Sequence, residues 1–367
     1  MQNDPYLRWL ISLELSITQS HNLLEHFGSA KALFAYASRN DSRIDKSVTS
    51  KANKTALEAA NTAGDYEFIS FDSPSYPSRL KQINHAPLGL FMLGKLPQDM
   101  EKRPTVAIIG SRNNSLYGKQ VTSRLAGDLA KCGIIIISGM ARGLDAYAHE
   151  AAIKAGGDTI AVLPSGIDIC YPAENAGLYK QIPKQGALIS EFMPNFRPQK
   201  WSYPARNRII SGLSDLLIIV EAGIKSGTFT TVTHALNQGR EVMAVPGSVL
   251  NTQSIGTNQL LKEGAAAITT YTDALSYLQT LKHLKDFFAA AKPENLSPAA
   301  DTLSSSKKLP LASCESLVYS CINYEAVSIE YIVQHCKLDI STVNKTLLEL
   351  ELAGRIKRLV GNKFIRN

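Results

Sequence analysis

The fold is decided by the stretch VAIIGSRNNSLYG at residues 106–118, in which an apolar run ends in a glycine- and serine-containing loop. A helical pattern follows, because Val121, Leu125 and Leu129 recur on one side after Ser115. A strand, a tight turn and an amphipathic helix in this order predict a βα unit.

The same unit recurs along the middle of the chain, with apolar runs about 25 to 30 residues apart. Each run is continuously hydrophobic and does not alternate, which indicates strands that are covered on both faces. We therefore predict an α/β fold, an extended Rossmann-like, doubly wound parallel sheet over residues 66–284. The runs are VAIIG at 106, IIIIS at 134, TIAVLP at 159, ALISEF at 187, LLIIVEA at 216 and EVMAVPG at 241.

Helical patterns precede this sheet in the sequence. Residues 1–65 predict a small helical domain, in which Gly28 ends one helix and Ser29 caps the next. The following residues contain several prolines and predict an irregular connector that ends in a short strand.

A different pattern follows the sheet. Residues 285–310 mix Pro, Ser, Ala and Lys without a period, which predicts a linker. Residues 311–367 combine three helical patterns, the third capped by Ser341, with two short strands around Gly361 and Asn362. Three helices and a basic hairpin predict a winged helix.

Composition and charge narrow the class of protein. The net charge of +7 and the pI near 9.0 favour an anionic partner, though only weakly. A secretion signal needs an uninterrupted apolar span, which here contains the charged residues Asp4, Arg8 and Glu14. No run approaches the ~18 apolar residues that a membrane helix requires. The five cysteines lack metal-site spacing and are typical of buried thiols in a reducing compartment. We therefore expect a cytoplasmic protein.

The loops that follow the strands define the predicted site, because ligands of a doubly wound sheet bind at the carboxyl ends of its strands. Most of these loops are rich in Gly and Ser, whose backbone N–H groups attract phosphate. In any single loop the glycine can equally serve only the geometry of a tight turn. The loops are GSR at 110–112, SGMARG at 138–143, PSGID at 164–168, SEF at 190–192, KWSYPARNR at 200–208, AGIKSGT at 222–228 and PGS at 246–248.

Two familiar phosphate motifs are missing from the sequence. There is no G-x-x-x-x-G-K-[ST] motif, so the sequence does not support ATP hydrolysis by a P-loop. No G-x-G-x-x-G follows the first strand, which argues against a dinucleotide cofactor. We predict neither a cofactor nor a metal.

The segment at 200–208 combines aromatic rings with fixed positive charges. The rings of Trp201 and Tyr203 offer faces on which unstacked bases can lie, and such faces favour single-stranded over duplex DNA. The alternative is an irregular connection whose aromatic residues cover the adjacent core. The cationic side chains predicted to hold phosphates are Lys200, Arg206 and Arg208, with Arg112 after the first strand.

Side chains that could act as a general base are present, but none stands in a motif that assigns it a catalytic role. Their ordinary roles are to cap loops and to satisfy backbone donors. The side chains are those of Asp168, Glu191, Glu221, His149 and His234.

Five motifs follow one another in the order and spacing of the DprA/Smf family of DNA-processing proteins, and we identify the chain as a member by this resemblance. The match covers roughly residues 70–270, and the order of the flanking domains, with a SAM-like or helix-hairpin-helix front and a winged helix, is also similar. The motifs are VAIIGSRNNSLYG, SGMARGLDAYAHEAA, GGDTIAVLPSGIDICYPAEN, SEFMPNFRPQKWSYPARNRIISGLSDLLIIVEAGIKSGTFTT and GREVMAVPGSVLNTQSIGTNQLLKEGA.

The resemblance implies a function. It implies a non-enzymatic protein that binds single-stranded DNA, forms a homodimer, and loads the RecA recombinase onto incoming strands during natural transformation while helping to displace SSB. It also implies positions for the DNA contacts. These positions are Arg112, Ser138, Gly139, Ser165, Gly166, Lys200 and Tyr203. The charges of 200–208 and the AGIKSGT loop add Arg206, Arg208, Gly227 and Thr228 to the predicted DNA contacts.

The chain departs from the family pattern at three positions. Tyr203 stands where members commonly carry Phe, and a phenol ring can stack equally well. Pro164 and Asn195 stand where glycine is usual.

A second predicted DNA contact lies in the winged helix. Its cationic residues Arg355, Lys357, Arg358 and Lys363 fall within a stretch that has no acidic side chain. A protein-interaction module remains the alternative for this domain. The helical domain at the amino terminus shows no basic stripe, so a protein contact or support of a dimer is as consistent with it as DNA binding.

Two other functions remain as alternatives. The segment KSGTFTT faintly resembles the P-G-G-x-G-T-x-x-E element of nucleotide phosphoribohydrolases of the LOG type, but Thr231 replaces the catalytic glutamate and Ile224 and Lys225 replace the paired glycines. The other alternative is a transcriptional regulator whose winged helix binds duplex DNA, which would give the aromatic rings at 200–208 nothing to stack on.

Overall fold

A computed structural model describes residues 4–224, 226–290, 313–323, 326–336 and 338–366. The chain divides into two compact units, Met1–Leu296 and Ser297–Asn367. Among the described residues, no helix is long and apolar enough to cross a membrane.

The six apolar runs of the sequence all form strands of a single sheet in the larger unit, as predicted. Three further strands complete this sheet, two before the first run and one after the last. The nine strands are β1 (Glu67–Ser70), β2 (Gly89–Gly94), β3 (Thr105–Ile109), β4 (Ile135–Ser138), β5 (Thr159–Val162), β6 (Gly186–Ser190), β7 (Leu216–Ile219), β8 (Glu241–Ala244) and β9 (Ala266–Ala267).

The strand order is β1-β2-β6-β5-β4-β3-β7-β8-β9. All neighbours from β6 to β9 pair in parallel, whereas β2 pairs antiparallel with both β1 and β6. The Rossmann-like parallel sheet is therefore confirmed, with an antiparallel extension at one edge.

Helices cover both faces of the sheet. In β3, Ala107 and Ile109 belong to one apolar core, whereas Val106 and Ile108 belong to the core on the opposite face. This alternation explains why the strand sequence is continuously hydrophobic. The helices of the larger unit are α1 (Pro5–Ser12), α2 (Ile17–Phe27), α3 (Ala30–Ala37), α4 (Lys46–Thr49), α5 (Lys54–Ala60), α6 (Ser78–Lys81), α7 (Leu116–Lys131), α8 (Leu144–Lys154), α9 (Ala176–Gln181), α10 (Ser202–Leu213), α11 (Thr228–Asn237), α12 (Ile255–Lys262), α13 (Tyr271–Leu278) and α14 (Lys285–Ala290).

The amino-terminal helices pack directly against the sheet. Gly28 ends α2 with a φ of +78°, and the Ser29 hydroxyl caps α3, as the sequence predicts. Trp9 and Leu33 share one apolar core with Phe91 of β2, so residues 1–65 do not enclose a separate core.

Helix α14 replaces the beginning of the predicted linker. Leu284 is buried before it, and Phe288 packs against the core of the larger unit. Residues 291–310, the remainder of the predicted linker, lie outside the described residues.

The smaller unit is the predicted winged helix. Its third helix is capped by Asp339, whose carboxylate accepts a hydrogen bond from the Thr342 N–H at 2.9 Å, and not by Ser341 as the sequence suggested. Its strands pair in the order β10-β12-β11. The elements are α15 (Ser313–Ser320), β10 (Val327–Ser328), α16 (Ile329–Cys336), α17 (Ile340–Leu352), β11 (Ile356–Leu359) and β12 (Lys363–Arg366).

The buried carboxylate of Asp215, just before β7, binds groups of three neighbouring segments. Asp215 is almost fully buried and accepts hydrogen bonds from the Thr105 backbone N–H and side-chain hydroxyl at 2.8 and 2.9 Å. It also pairs with the equally buried Arg79, at 3.3 Å between the guanidinium nitrogen and the carboxylate oxygen. Its other oxygen lies 3.0 Å from His283.

We predict that Asp215→Ala lowers the free energy of unfolding of the larger unit by about 3–5 kcal/mol, because it leaves the buried Arg79 charge unpaired. Urea unfolding followed by tryptophan fluorescence measures this change, since both tryptophans of the chain, Trp9 and Trp201, lie in that unit. The control is Glu58→Ala, which removes the exposed ion pair with Lys54 and should leave stability almost unchanged. An equally small loss for both variants would contradict the prediction.

Candidate functional site

A cleft opens at the carboxyl edge of the sheet where the direction of winding reverses. Strands β3 and β7 are neighbours, but the chain passes from β3 through α7 to β4 on one side and from β7 through α11 to β8 on the other. This reversal leaves a crevice between the two loops, the usual ligand site of such sheets. We name it the switch-point cleft; its volume is about 540 Å³ and its walls are Gly110–Asn113, Ala141, Asp145, Tyr203, Pro204, Arg206, Asn207, Ile210, Gly223, Ser226–Thr228, Thr230, Thr231 and Gln253.

A glycine lets the loops after β3 and β7 approach each other. A Cβ atom on Gly110 would lie 2.5 Å from the Leu144 side chain and 2.9 Å from the Glu221 carbonyl oxygen. The Ser111 N–H donates to that carbonyl at 2.9 Å. The Glu221 carboxylate is itself occupied by the backbone N–H and the hydroxyl of Ser115, at the start of α7. Gly110 therefore serves the close packing that forms the cleft.

An arginine and a tyrosine stack at the mouth of the cleft. The guanidinium carbon of Arg112 lies 4.9 Å from the ring centroid of Tyr203, within the range of a cation–π contact. Arg112 is exposed, and among the described residues it forms no ion pair. Burial raises the pKa of Tyr203 to about 12, so its phenol is neutral at physiological pH. The ring of Tyr171, which sequence analysis did not select, lies 6.2 Å away.

The buried guanidinium of Arg206 lies beneath the cleft and is held in place by hydrogen bonds. Its guanidinium donates to the carbonyl of Gly139 at 2.6 Å and to the carbonyl of Val162. Burial lowers its pKa to about 10, so it stays positive at neutral pH. Both carbonyls are bound by Nη1, and Nε donates to the Asn207 side-chain oxygen at 3.1 Å. Direct contact of Arg206 with phosphate remains a prediction. Its charge still contributes to the potential in the cleft.

Arg208 and Trp201 face away from the switch-point cleft. Arg208 is buried in an ion pair with Glu191. The Trp201 ring packs edge-on against Phe192 and Phe196, with centroids 5.6 and 5.5 Å apart. Lys200 is exposed in the loop before α10 but does not line the cleft. The predicted cluster is therefore divided between two sides of the protein.

The helical periodicity of α10 explains this division. The sequence interpretation treated 200–208 as a loop, but residues from Ser202 onward are helical. Tyr203, Arg206 and Asn207 lie three or four positions apart and therefore share one face of the helix. Ala205 and Arg208 lie on another face and line a different cleft.

Four predicted contacts are internal supports of the loops. The Ser138 hydroxyl donates to the Ile108 carbonyl at 2.7 Å, and the Ser165 hydroxyl donates to the Ile169 carbonyl at 3.1 Å. The N–H of Gly166 donates to the Phe196 carbonyl, and that of Gly139 to Asp145 at 3.2 Å. These groups shape the loops, and their donors are already occupied.

Asn195 adopts a backbone conformation that favours glycine. Its φ is +67°, in the left-handed region that Asn tolerates better than most residues. Its N–H donates to both carboxylate oxygens of Asp168, at 2.8 and 3.0 Å. The N–H is therefore not offered to phosphate. Pro164, the other departure, is buried and has no N–H to offer.

The amino terminus of α11 opens into the cleft. Gly227 and Thr228 begin this helix and line the wall, as predicted for the AGIKSGT loop. The Thr228 N–H and hydroxyl both lie within hydrogen-bond distance of the Ser226 hydroxyl, at 3.2 and 2.7 Å. A ten-residue helix with its positive end toward the cleft favours an anion there. Lys225, in the same loop, lies outside the described residues.

The candidate general bases are occupied elsewhere or buried. Hydrogen bonds from Arg208, Ser115 and the Asn195 N–H are accepted by Glu191, Glu221 and Asp168, respectively. His149 is fully buried beside Thr159, and burial lowers its pKa to about 3. Burial also lowers the pKa of His234. Within the described residues, no group of His, Cys, Asp and Glu side chains is arranged to hold a metal ion.

Two family models match the chain. The family described as DNA recombination-mediator protein A matches residues 67–279, more than half of the chain. The DprA winged helix domain matches residues 298–362.

Curated relatives match over most of the chain. DNA processing protein DprA of Bacillus subtilis is 42% identical over 57% of this chain and 70% of its own length. Protein Smf of Escherichia coli is 35% identical over 81% of this chain and 76% of its own length.

Two solved structures share the fold. DNA processing protein A of Streptococcus pneumoniae has a TM-score of 0.66 and 33% identity, covering 75% of this chain and 98% of its own. DNA processing protein A of Helicobacter pylori, a structure that addresses its single-stranded DNA binding mode, has a TM-score of 0.53 and 32% identity, covering 59% of this chain and 97% of its own.

We predict that His149 makes stability depend on pH. The Thr159 hydroxyl donates to the Ile136 carbonyl, so His149 binds it through Nδ1–H and remains neutral. The unfolded chain takes up a proton below pH ~6.5 but the folded chain does so only near pH 3. Stability attributable to this group is therefore full above pH ~6.5 and falls by up to about 1.4 kcal/mol per pH unit below it.

Urea unfolding of the wild type and of His149→Gln between pH 7 and pH 4 measures this effect. The variant has no proton to take up at this site. Its unfolding free energy should therefore fall less steeply with decreasing pH, and the difference in slope should be about 1.4 kcal/mol per pH unit, the effect of one proton. Parallel curves would show that His149 titrates equally in both states and would contradict its burial as a neutral group.

Proposed function

The chain belongs to the DNA recombination-mediator protein A family, also called DprA/Smf, and we propose that it binds single-stranded DNA in the switch-point cleft. The observation that carries this proposal is the stack of the exposed Arg112 on the half-buried Tyr203 ring at the mouth of the cleft. An aromatic ring and a cation placed together suit a ligand that has both flat bases and phosphates.

The preference for a single strand follows from the ring. A base can stack on Tyr203 or Tyr171 only if its face is free, and the bases of a duplex are already stacked on their neighbours. Such stacking contributes about 1–3 kcal/mol per base and tolerates any sequence. We therefore expect little sequence preference.

Phosphate binding follows from the charges around the ring. Arg112 provides an exposed guanidinium, the amino terminus of α11 provides the positive end of its helix dipole, and the buried Arg206 adds a fixed positive charge below. Lys200 is exposed in the loop before α10 and is proposed as a further phosphate contact outside the cleft. Single-strand affinity should fall with salt accordingly.

As a member of this family, the chain is proposed to act as a non-enzymatic mediator in the cytoplasm. It would protect incoming single-stranded DNA, load RecA onto it during natural transformation and help to displace SSB, working as a homodimer without a cofactor. Hydrogen bonds occupy Glu221 and Asp168, and His149 is fully buried, which supports a binding role. Thr231, at the position of the hydrolase glutamate, lines the cleft but carries only a hydroxyl, which disfavours the phosphoribohydrolase alternative.

We predict that Tyr203→Ala weakens binding of a labelled oligo-dT by roughly tenfold or more, because it removes a stacking face. Tyr203→Phe should bind like the wild type. Arg112→Ala should reduce the slope of log affinity against log salt by about 0.7, the expected effect of losing one phosphate contact. Fluorescence anisotropy at several salt concentrations, with a matched duplex in parallel, measures all three effects.

The control for lost positive charge is Arg124→Ala. Arg124 lies on α7, is exposed, pairs weakly with Asp128 at 3.9 Å and does not line the cleft. Its loss should leave the salt slope unchanged. If Arg112→Ala and Tyr203→Ala both bound oligo-dT as tightly as the wild type, DNA would have to bind elsewhere. A clear preference for the duplex would instead favour the transcriptional-regulator alternative.

The winged helix is proposed as a second DNA contact. Lys357, Arg358 and Lys363 are exposed on the hairpin of β11 and β12, and Arg355 is half-buried before it. Arg358 lies over the Phe364 ring at 5.7 Å. The hairpin therefore presents cations on a fixed scaffold, as a phosphate-contacting wing does.

We predict that the full-length triple variant Lys357→Ala, Arg358→Ala, Lys363→Ala reduces the salt slope for a long oligo-dT by about two units, at ~0.7 per phosphate. The control variant Arg124→Ala should leave the slope unchanged. Identical binding of long DNA by the wild type and the variant would favour the alternative that this domain contacts protein.

A further inference from the structure

A second pocket adjoins the switch-point cleft. Its volume is about 280 Å³, and it lies between the loop after β4 and the loop after β5. We name it the side pocket. The Arg112–Tyr203 stack borders both openings. The lining residues common to both are Arg112, Ala141, Tyr203 and Arg206, whereas Arg142, Pro164, Tyr171 and Glu174 line the side pocket but not the cleft.

Tyr171 gives the side pocket an accessible aromatic ring. The residue is 42% exposed. Its ring centroid lies 6.2 Å from that of Tyr203, with the ring planes 65° apart, so the two rings meet edge to face and do not stack on each other. A ring that is this exposed is open to an unstacked base. The side pocket therefore offers a base a second ring beyond Tyr203.

Hydrogen bonds join the two loops of the side pocket. The side-chain amide nitrogen of Asn175 donates to the carbonyl oxygens of Met140 and Ala141, at 2.9 and 3.3 Å. Arg142 directly follows Ala141, and Glu174 directly precedes Asn175. These hydrogen bonds therefore hold the backbones of Arg142 and Glu174 close together.

Arg142 and Glu174 form a weak ion pair in the side pocket. Nε of Arg142 lies 3.6 Å from Oε1 of Glu174, and 69% and 52% of the two side chains are exposed. An exposed pair of this kind contributes little to stability and separates easily. Among the described residues that line the pocket, three are arginines and Glu174 alone is acidic. The pocket therefore favours an anionic ligand, and Glu174 opposes it.

We propose that the side pocket binds a second nucleotide of the strand, whose base stacks on Tyr171 and whose phosphate contacts Arg142. Glu174 competes with that phosphate for Arg142 and so limits the affinity. The proposal rests on the single-strand binding proposed for the switch-point cleft. It goes beyond that function because it assigns a further nucleotide subsite and an acidic residue that opposes binding.

Continuity with the switch-point cleft favours a strand over a free anion. A strand that crosses the Arg112–Tyr203 stack passes from one opening into the other. The bases of a single strand can turn to different sides of a protein side chain, whereas paired bases cannot. A free phosphate would contact Arg142 but would leave the Tyr171 ring unused.

The first test compares Arg142→Gln with Arg124→Gln in the full-length protein, by fluorescence anisotropy of labelled oligo-dT at several salt concentrations. The two arginines are matched, since 69% and 68% of their side chains are exposed and each forms a weak ion pair, but Arg124 lines neither opening. Arg142→Gln should reduce the slope of log affinity against log salt by about 0.7, the effect of one phosphate, and Arg124→Gln should leave it unchanged. Equal slopes for the two variants would overturn the proposal.

The second test is Glu174→Gln, with Glu58→Gln as the matched control. Glu58 is similarly exposed, its carboxylate lies 3.7 Å from the Lys54 ammonium, and it lines neither opening. Glu174→Gln should tighten oligo-dT binding by about two- to fivefold at low salt, because it releases Arg142 and removes a like charge. The gain should shrink when Arg142→Gln is also present. No tightening, or equal tightening by Glu58→Gln, would overturn the proposal.

The third test is Tyr171→Ala, which should weaken oligo-dT binding about fivefold or more. The salt slope should stay the same, because a stacking contact releases no counterions. Tyr171→Phe, which keeps the ring, should restore the affinity. Unchanged affinity of the alanine variant, or a slope that falls as in Arg112→Ala, would overturn the proposal.

Arg112→Ala and Tyr203→Ala separate a failure of this proposal from a failure of the proposed function. If they weaken oligo-dT binding while Arg142→Gln and Glu174→Gln behave like their controls, the switch-point cleft binds the strand and the side pocket does not. If Arg112→Ala and Tyr203→Ala have no effect, the proposed function itself fails, and the side pocket fails with it.

Discussion

The close approach of β3 and β7 at the reversal of winding is the constraint on which the rest of the site depends. It requires Gly110, since any side chain there would collide with the Glu221 backbone, and it is locked by the Ser111 hydrogen bond to the same carbonyl. Because the chain leaves these two strands in opposite directions, the loops separate above them and leave the switch-point cleft. The phosphate-attracting amino terminus of α11 and the Arg112–Tyr203 stack both border this opening.

The two arginines of the switch-point cleft differ in burial. Arg112 is exposed and free to meet a ligand, whereas Arg206 is buried and held by two backbone carbonyls. A fixed buried charge cannot follow a ligand, but it raises the local potential at no cost in side-chain ordering. Arg208, two residues further along α10, instead balances Glu191 in a separate cleft. The helix α10 thus places Arg206 and Tyr203 at the switch-point cleft, and Arg208 and Trp201 on its opposite side.

Much of the fold could be predicted because it rests on local patterns. Continuous apolar runs identified six of the seven parallel strands, all but the two-residue β9, and the basic hairpin around Gly361 identified the winged helix. The short edge strand β1 was missed, since four residues in a proline-rich connector leave no periodic signal. The position of Arg208 and Trp201 on the opposite side of α10 from the cleft was missed, because 200–208 was treated as a loop. The spacing of Tyr203, Arg206 and Asn207 already carries the helical period, and applying it would have separated the two faces. Which carbonyls hold Arg206 depends on long-range contacts that no local pattern contains.

The central proposal is that single-stranded DNA lies against the ring of Tyr203. The most direct measurement is photo-crosslinking of the full-length protein to an oligo-dT that carries one 5-iododeoxyuridine, followed by mass spectrometry of the crosslinked peptides. The account predicts that the dominant crosslink falls on Tyr203 or Tyr171, the rings beside Arg112. Crosslinks confined to the winged helix, or to Trp201 on the opposite side of α10, would contradict it.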